Sequence, residues 1–346
     1  MKPMVSVIMS VYNSEAYLKA AVESILNQTY RDFEFLIVND CSSDSSLEIL
    51  HSYRDQRIRI IDNPENLGLA KSLNKAVKQA GGKYIARMDS DDISLPNRFE
   101  KQVAYLESHP DTGLVYGDLI RFHSHELANE MDSNDYQADY IRSILLFYNV
   151  VNHPCVMMKR EIFDSYSYNP DFSVTEDVKL WTEISAQYLM ERLPDNLLLY
   201  RVHEKQVSTA KRDLQRRQEL VRVTPWLKAL LGRVSEEELA LHGRIAGRET
   251  PVTSEQALSW LHRLRDGNEK EGLFPTKAFR QVLLRMYVTT AAYNHYPLFQ
   301  KLKGCMSFGF FEVVRFGLRV CRNLLADDWY WRRAKRQIKK WRISYE

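Results

Sequence analysis

The sequence predicts an α/β fold, a mostly parallel sheet with helices on both faces, followed by an α-helical C-terminal region. Three observations carry this. Short apolar, β-rich runs alternate with amphipathic helical stretches up to about residue 205; acidic residues follow the ends of those runs; and around Thr209 the alternation stops, leaving sequence of helical character to Glu346.

The elements follow in order. Val5–Val11 (VSVIMSV) is almost continuously apolar, as a strand buried on both faces should be. Ser14–Asn27 places Tyr17, Leu18, Ala21 and Ile25 at helical spacing, with Ser14 as a candidate cap. Phe33–Val38 is a second strand ending at Asn39-Asp40, Ser43–Tyr53 a helix and Ile58–Ile61 a third strand. Leu67–Ala80 is a helix for which Gly81-Gly82 offers a left-handed stop. Tyr84–Met88 is a fourth strand running into Asp89-Ser90-Asp91-Asp92. Asn97–Glu107 reads as helix, and Leu114–Tyr116, Asn152–Met158 and Leu197–Val202 as strands. A boundary near residue 210 separates residues 1–210 from a helical region, 211–346, with turn signals near Gly267, Pro275 and Gly304. Open parallel sheets bind ligands beyond the carboxyl ends of their strands, where Asp40 and Asp89–Asp92 fall.

Composition narrows the classes. With 45% hydrophobic and 27% charged residues the chain is ordinary globular protein, and a net charge of +3 is too small to argue for nucleic acid. Cys41, Cys155, Cys305 and Cys321 are scattered without a C-x-x-C pair, which points to a reducing compartment, no disulfide framework and no zinc site. Met1–Val11 reads as a strand rather than a signal peptide. No run approaches the roughly 18 apolar residues of a membrane span, so membrane contact is expected to be peripheral.

Four places carry chemistry. The carboxylates of Asp89-Ser90-Asp91-Asp92 make a hard-oxygen site suited to Mg²⁺ or Mn²⁺ together with substrate phosphates; the plain alternative is a solvated acidic turn before Pro96. A calcium loop fits poorly, since Ser94 stands where the sharp turn needs glycine. Asp40 can accept the N–H of a base, or serve as a helix N-cap with Ser42 or Ser43. Thr175-Glu176-Asp177 opens a helix and offers a carboxylate to deprotonate an attacking hydroxyl. Dipole stabilisation, or a capping box of Ser173 with Glu176, explains the same residues blandly. His203, in Tyr200-Arg201-Val202-His203, suits Mn²⁺ as neutral imidazole; like His153-Pro154, a lone histidine is more often a surface or core residue.

Taken in order, these residues resemble the family 2 glycosyltransferases of the Rossmann-like GT-A fold, over about residues 4–205. Val5 to Asn13 resembles the family's opening strand and nucleotide-contacting loop, which implies Tyr12, Asn13 and Glu15 at the nucleotide. Phe33 to Asp44 is similar to the strand with the D-D-G-S-x-D run, Asn39 replacing its first aspartate and Cys41 its glycine; Asp40 matches the base-contacting position. Asn66-Leu67-Gly68-Leu69-Ala70 with Asn74 matches a further family stretch. Asp89-Ser90-Asp91 matches the D-x-D motif, implying Asp89 on the donor's ribose or metal-bound water and Asp91 on the metal. Glu176-Asp177 matches x-E-D, implying Asp177 as catalytic base. His203 falls at a late metal- or phosphate-contacting histidine, and Asn152-His153-Pro154 at a segment facing donor and acceptor, as Glu176 would also do.

The resemblance implies an inverting, Mn²⁺- or Mg²⁺-dependent hexosyl- or N-acetylhexosaminyl-transferase, using a nucleotide-sugar, UDP by default. The acceptor would be a glycan or lipid-linked hydroxyl in cell-surface polysaccharide or lipopolysaccharide synthesis. The protein would be cytoplasmic or peripheral at the inner face of the plasma membrane. In the C-terminal region Phe311, Val314, Leu318, Cys321 and Leu325 recur at helical spacing, and Trp329 to Arg342 mixes aromatic and basic residues suited to an anionic membrane surface or to a solvated helical subdomain. A nucleic-acid partner is not expected. A nucleotidyltransferase would bring a glycine- and basic-rich loop after the first strand, which Tyr12-Asn13-Ser14-Glu15 lacks; a non-catalytic binding module would not need Asp40, Asp89, Asp91, Asp177 and His203 together.

Overall fold

A computed structural model describes residues 2–123, 126–127, 137–203, 211–309 and 313–314. The chain divides into two compact units: the first contains Met1–Asp135 and Val151–Ala210, the second Tyr136–Val150 and Lys211–Ala326.

The first unit is built on one sheet, with nine strands among the described residues. They are β1 (Val5–Val11), β2 (Phe33–Asn39), β3 (Ile58–Asp62), β4 (Tyr84–Arg87), β5 (Ile93–Ser94), β6 (Thr112–His123), β7 (Glu126–Leu127), β8 (Met157–Lys159) and β9 (Leu189–Arg201). Helices α1 (Leu18–Leu26), α2 (Ser46–Ser52), α3 (Leu69–Gln79), α4 (Arg98–Ser108) and α6 (Glu176–Ile184) belong to the same unit, while α5 (Ala138–Ile144) belongs to the second. The order β3-β2-β1-β4-β8-β6-β9-β5 begins with a parallel half, β3 to β4. Beyond β4 the sheet is mixed: β8 is antiparallel to β4 and β6, β9 parallel to β6, β5 antiparallel to β9. The expected α/β class is the one found, with its parallel character concentrated where β1, β2 and β4 bring their carboxyl ends together.

Four local expectations are corrected. Gly81 and Gly82 do not form a left-handed stop, because α3 ends on extended Ala80 and neither glycine has positive φ. Gly82 is instead a close approach, since a Cβ there would lie 2.6 Å from the Ser6 backbone nitrogen. Ser14 does not cap α1, whose N-cap is Tyr17 without a side-chain bond; its hydroxyl meets Ser90 Oγ at 2.7 Å. His153–Cys155 is a 3₁₀ turn, with Pro154 in its first turn, and only Met157–Lys159 is strand. Gly267 and Gly304 lie inside helices, where the missing side chain admits the Leu230 backbone and the Tyr287 ring respectively.

The second unit is helical: α5, α7 (Arg212–Leu231), α8 (Glu236–Ala246), α9 (Ser254–Glu271), α10 (Thr276–Tyr293) and α11 (Leu298–Met306). Capping boxes, Ser235 with Glu238 and Thr253 with Gln256, start α8 and α9, and left-handed Gly272 ends α9. The segment after α5 is held here by polar groups. Arg222 Nη1 donates to Leu145 O (2.6 Å), and His242 Nε2 donates to Leu146 O (3.0 Å) while its Nδ1 accepts from Trp260 Nε1 (3.2 Å). No helix among the described residues is long and apolar enough to cross a membrane. The basic-aromatic run Trp329 to Arg342 lies outside the described residues, as do most of Phe311 to Leu325.

Candidate active site

The loops after β1 and β2 are laced together. Backbone N–H groups of Asn13, Ser14 and Glu15 donate to Ser42 Oγ (3.1 Å), Ser46 Oγ (2.8 Å) and Asp44 Oδ2 (3.0 Å). In return, Asn13 Oδ1 accepts from Ser43 N (2.8 Å) and Glu15 Oε2 from Ser45 N (3.0 Å). Asn13 and Glu15 thus spend side-chain oxygens on shaping the loop, whereas the Tyr12 ring is exposed. Three N–H groups spent this way are not available to cradle a triphosphate, which counts structurally against the nucleotidyltransferase alternative.

Asp40 is buried at the end of β2. Its Oδ1 accepts from Asn63 Nδ2 (2.7 Å) and Leu67 N (2.9 Å), and its Oδ2 from Gly68 N (2.9 Å). Gly68 adopts φ +82°, a left-handed conformation suited to glycine, in presenting that N–H. The carboxylate is therefore not an N-cap of α2 but the anchor of the loop before α3. Of about four lone-pair directions on a carboxylate, three are used and one remains on Oδ2.

The second acidic group stands at the end of β4. Asp89, Asp91 and Asp92 bring carboxylate oxygens within 4.8 Å of one another. Each has a different tie. Asp89 ion-pairs with Nη1 of buried Arg87. Asp91 Oδ2 lies 2.9 Å from His203 Nε2, so the two sequence-predicted metal ligands meet. Asp92 Oδ1 accepts from Arg201 N (2.9 Å), but its buried Oδ2 has no hydrogen-bond partner among the described residues. Arg201, sandwiched between the Tyr17 and Phe122 rings at 4.4 and 4.5 Å, donates Nε to the Asp91 carbonyl (2.9 Å), and His203 lies 5.1 Å from the Tyr17 ring. Burial, then the neighbouring Asp91 and Asp89 charges, push the Asp92 carboxyl well above its ordinary range. For Asp89 burial also raises it, against the opposing Arg87 charge, and Asp91 adds to the rise. Crowded hard oxygens with one unpartnered buried acceptor fit a small divalent cation.

Behind this group lies a buried polar layer. Arg98 on α4 donates Nη2 to Arg87 O (2.7 Å) and Val156 O (3.1 Å), and Nη1 to Pro154 O (3.0 Å). It thus staples the end of β4 to the His153 turn; burial lowers it to about 10, which leaves it charged at neutral pH. His153 Nε2 sits 3.2 Å from Tyr168 Oη and Nδ1 4.0 Å from Glu176 Oε1. Burial, then the Arg87 charge, lowers His153 well below its usual range, so it is neutral. Tyr168 is held by Asn74, whose side chain donates to its carbonyl (2.7 Å) and accepts from its N–H (3.0 Å). Glu176 is buried, and burial plus the adjacent Asp177 charge raise it to about 8. The N-cap of α6 is Thr175, without a side-chain capping bond, so the expected capping box of Ser173 with Glu176 is not the one that starts the helix. Asp177 is half-buried in the first helical turn, and its charge reaches both Glu176 and Tyr168.

The candidates therefore gather in linked groups. Asp89, Asp91 and His203 meet directly, and Asp177, Glu176 and His153 lie in the layer electrostatically coupled to Arg87 and Asp89. Asp40, Tyr12, Asn13 and Glu15 form a separate group, joined to the acids through the Ser14–Ser90 bond. The sequence reading assigned no role to Arg87, Arg98, Tyr168 or Arg201, and gave Asp92 none beyond its place in the acidic cluster. A cation in the short strand leading into the acids was the available signal for Arg87.

Clustered strand-end carboxylates thus stand beside the loop after β1. Residues 6–167 match the family described as Glycosyl transferase family 2. An Escherichia coli O-antigen biosynthesis glycosyltransferase, WbnJ, is 35% identical over 209 residues, 58% of this chain and 81% of its own. The chain belongs to the family 2 glycosyltransferases and is a glycosyltransferase. Among solved structures, S. aureus TarS 1-349 in complex with UDP superposes with a TM-score of 0.53 at 18% identity, covering 92% of each chain. A Pyrobaculum calidifontis mannosyltransferase in complex with GDP-Man and Mn²⁺ gives 0.52 at 17% identity, covering 91% of this chain and 87% of that one. These two share the fold.

Proposed function

We propose that the protein transfers a sugar, with inversion, from a UDP-sugar to a hydroxyl of a glycan or lipid-linked acceptor during cell-surface polysaccharide assembly. The observation that carries this reading is the meeting of Asp89, Asp91, Asp92 and His203 at one strand end, next to the Glu176–Asp177 layer. Residues 1–210 form the catalytic part, and the helical region from 211, joined by 137–150, serves the acceptor or the membrane.

Asp91 and His203, with Asp89 and Asp92 beside them, would hold Mn²⁺ or Mg²⁺. Such an ion, when bound, neutralises negative charge developing on the departing diphosphate. The chain's own groups do the rest. Asp40 accepts the base N–H on its remaining lone pair, while Tyr12 offers a ring for stacking. Asp89 contacts the ribose or metal-bound water. Glu176, protonated at neutral pH, and neutral His153 face donor and acceptor hydroxyls without adding charge. Asp177 takes the proton from the acceptor hydroxyl as it attacks the anomeric carbon, and inversion follows from base and leaving group standing on opposite faces of the sugar. Peripheral attachment at the inner membrane face would bring a lipid-linked acceptor within reach.

The test is Asp177→Asn, assayed with a panel of UDP-sugars and Mn²⁺. Transfer is expected to fall by about 10²–10⁴-fold with nucleotide binding intact. Near-normal transfer with bound donor would remove Asp177 from the role.

A further inference from the structure

Helix α11 is amphipathic in the inverted sense. Its inward side is Gly304, packed so closely on the Tyr287 ring that no side chain fits there. Its outward side carries Leu298, Phe299, Leu302 and Met306, which are 71%, 75%, 58% and 50% exposed. At 3.6 residues per turn these four fall within an arc of about 100°, centred roughly opposite Gly304. Lys303 lies just past one edge of the arc and Lys301 past the other. The helix has no acidic residue. From Gly272 to Ala326, Glu312 is the only acidic residue, in a stretch that carries eight lysines and arginines.

We propose that α11 is the face by which this protein docks on an anionic lipid surface. Apolar side chains on the outer arc enter the boundary between headgroups and acyl chains, and the lysines on both flanks extend their stems alongside to reach anionic headgroups. The cationic excess along this stretch of sequence complements a negatively charged leaflet. A second copy of the chain is a poorer occupant. A two-fold contact would set the lysine-flanked arc against itself, like charges facing like, and four side chains are few beside the roughly 20–30 residues a side of a stable interface. The inference rests on the membrane part of the proposed function alone, and a vesicle assay contains no nucleotide-sugar, so docking and catalysis fail separately.

The experiment is flotation of the full chain with phosphatidylcholine vesicles, with and without phosphatidylglycerol. Wild type is expected to float with the anionic vesicles only. Combining Leu298→Ser, Phe299→Ser and Leu302→Ser should cut the floated fraction by about ten-fold or more, since each loses a buried apolar side chain. These positions are exposed, so the melting temperature should be unchanged. Lys301→Glu with Lys303→Glu, an independent variant that leaves the apolar arc intact, should likewise lose most binding at low salt. A chain lacking residues 329–346 should still float and still respond to the triple change. Equal flotation of wild type and triple variant, absence of wild-type flotation, or a dimer that the triple change converts to monomer with lipid recovery unaltered would each overturn the proposal.

Discussion

At the end of β2, Asp40 is surrounded by donors: an asparagine amide and two backbone N–H groups converge on its two oxygens. At the end of β4, three aspartates crowd one another, and among the described residues they are answered by one arginine, one histidine and one backbone N–H, with Asp92 Oδ2 left without a partner there. Both sites are carboxylates at strand termini of one sheet, yet the first is complete as folded and the second is not. A complete site recognises by shape and by one remaining lone pair. A crowded one holds repulsion that a bound cation would relieve, at a cost to the stability of the metal-free fold.

The contrast breaks most visibly in activity. Asp91→Asn, or chelation of wild type, should lower transfer by about 10²–10³-fold or more, with Mn²⁺ or Mg²⁺ restoring the chelated wild type and not the variant. Activity that survives exhaustive chelation would mean the β4 group is complete by itself, and the comparison would fail.

The same chemical change at the two sites should then move stability in opposite directions. In Asp40→Asn the new amide faces the Gly68 or Leu67 N–H, donor against donor, and the expected loss is about 1–3 kcal/mol by denaturant unfolding. In Asp92→Asn the carbonyl keeps the Arg201 N–H, and an amide replaces the unpartnered oxygen among Asp89 and Asp91. Metal-free protein should melt higher, by roughly 2–4 °C if about 1 kcal/mol of repulsion is relieved. Melting curves without metal decide both, and equal signs would show that donor count does not distinguish the sites.

Much of this arrangement could be read before folding, for reasons that are local. Strands β1 and β2 are largely apolar runs buried at all but one position each, and their ends place Asp40 and the loop after β1 without further information. The long strands β6 and β9 were read short because they carry charge inside. Asp118 and Arg192 form a buried bidentate pair across them, at 2.5 and 2.7 Å, beside register shifts around Gly117 and Asp118. Polar residues that satisfy each other in a strand look like a loop until the partner is known. The allegiance of α5 was hidden for the same reason, since it depends on Arg222 and His242 far along the chain. Cys41 shows the reverse, a position the resemblance marks as glycine and the backbone confirms, at φ +59°, a conformation that costs a non-glycine residue about 1–2 kcal/mol.

Glu176 gives the finest test of the comparison, because it extends the incomplete site inward. A glutamate in the unfolded chain ionises near 4.5, whereas burial and the Asp177 charge hold the folded-state proton up to about 8. Between those values the folded protein binds a proton that the unfolded chain has released, so stability falls as pH rises across the interval. Glu176→Gln keeps the shape and removes the titration. The melting temperature of the variant minus that of wild type should be smallest near pH 4.5, grow in favour of the variant toward pH 8, and level off above it. A difference that is flat in pH would mean Glu176 ionises normally and has solvent or cation access; one that grows toward acid would mean the protein stabilises its charge, which would make this inner carboxylate resemble Asp40 rather than Asp92.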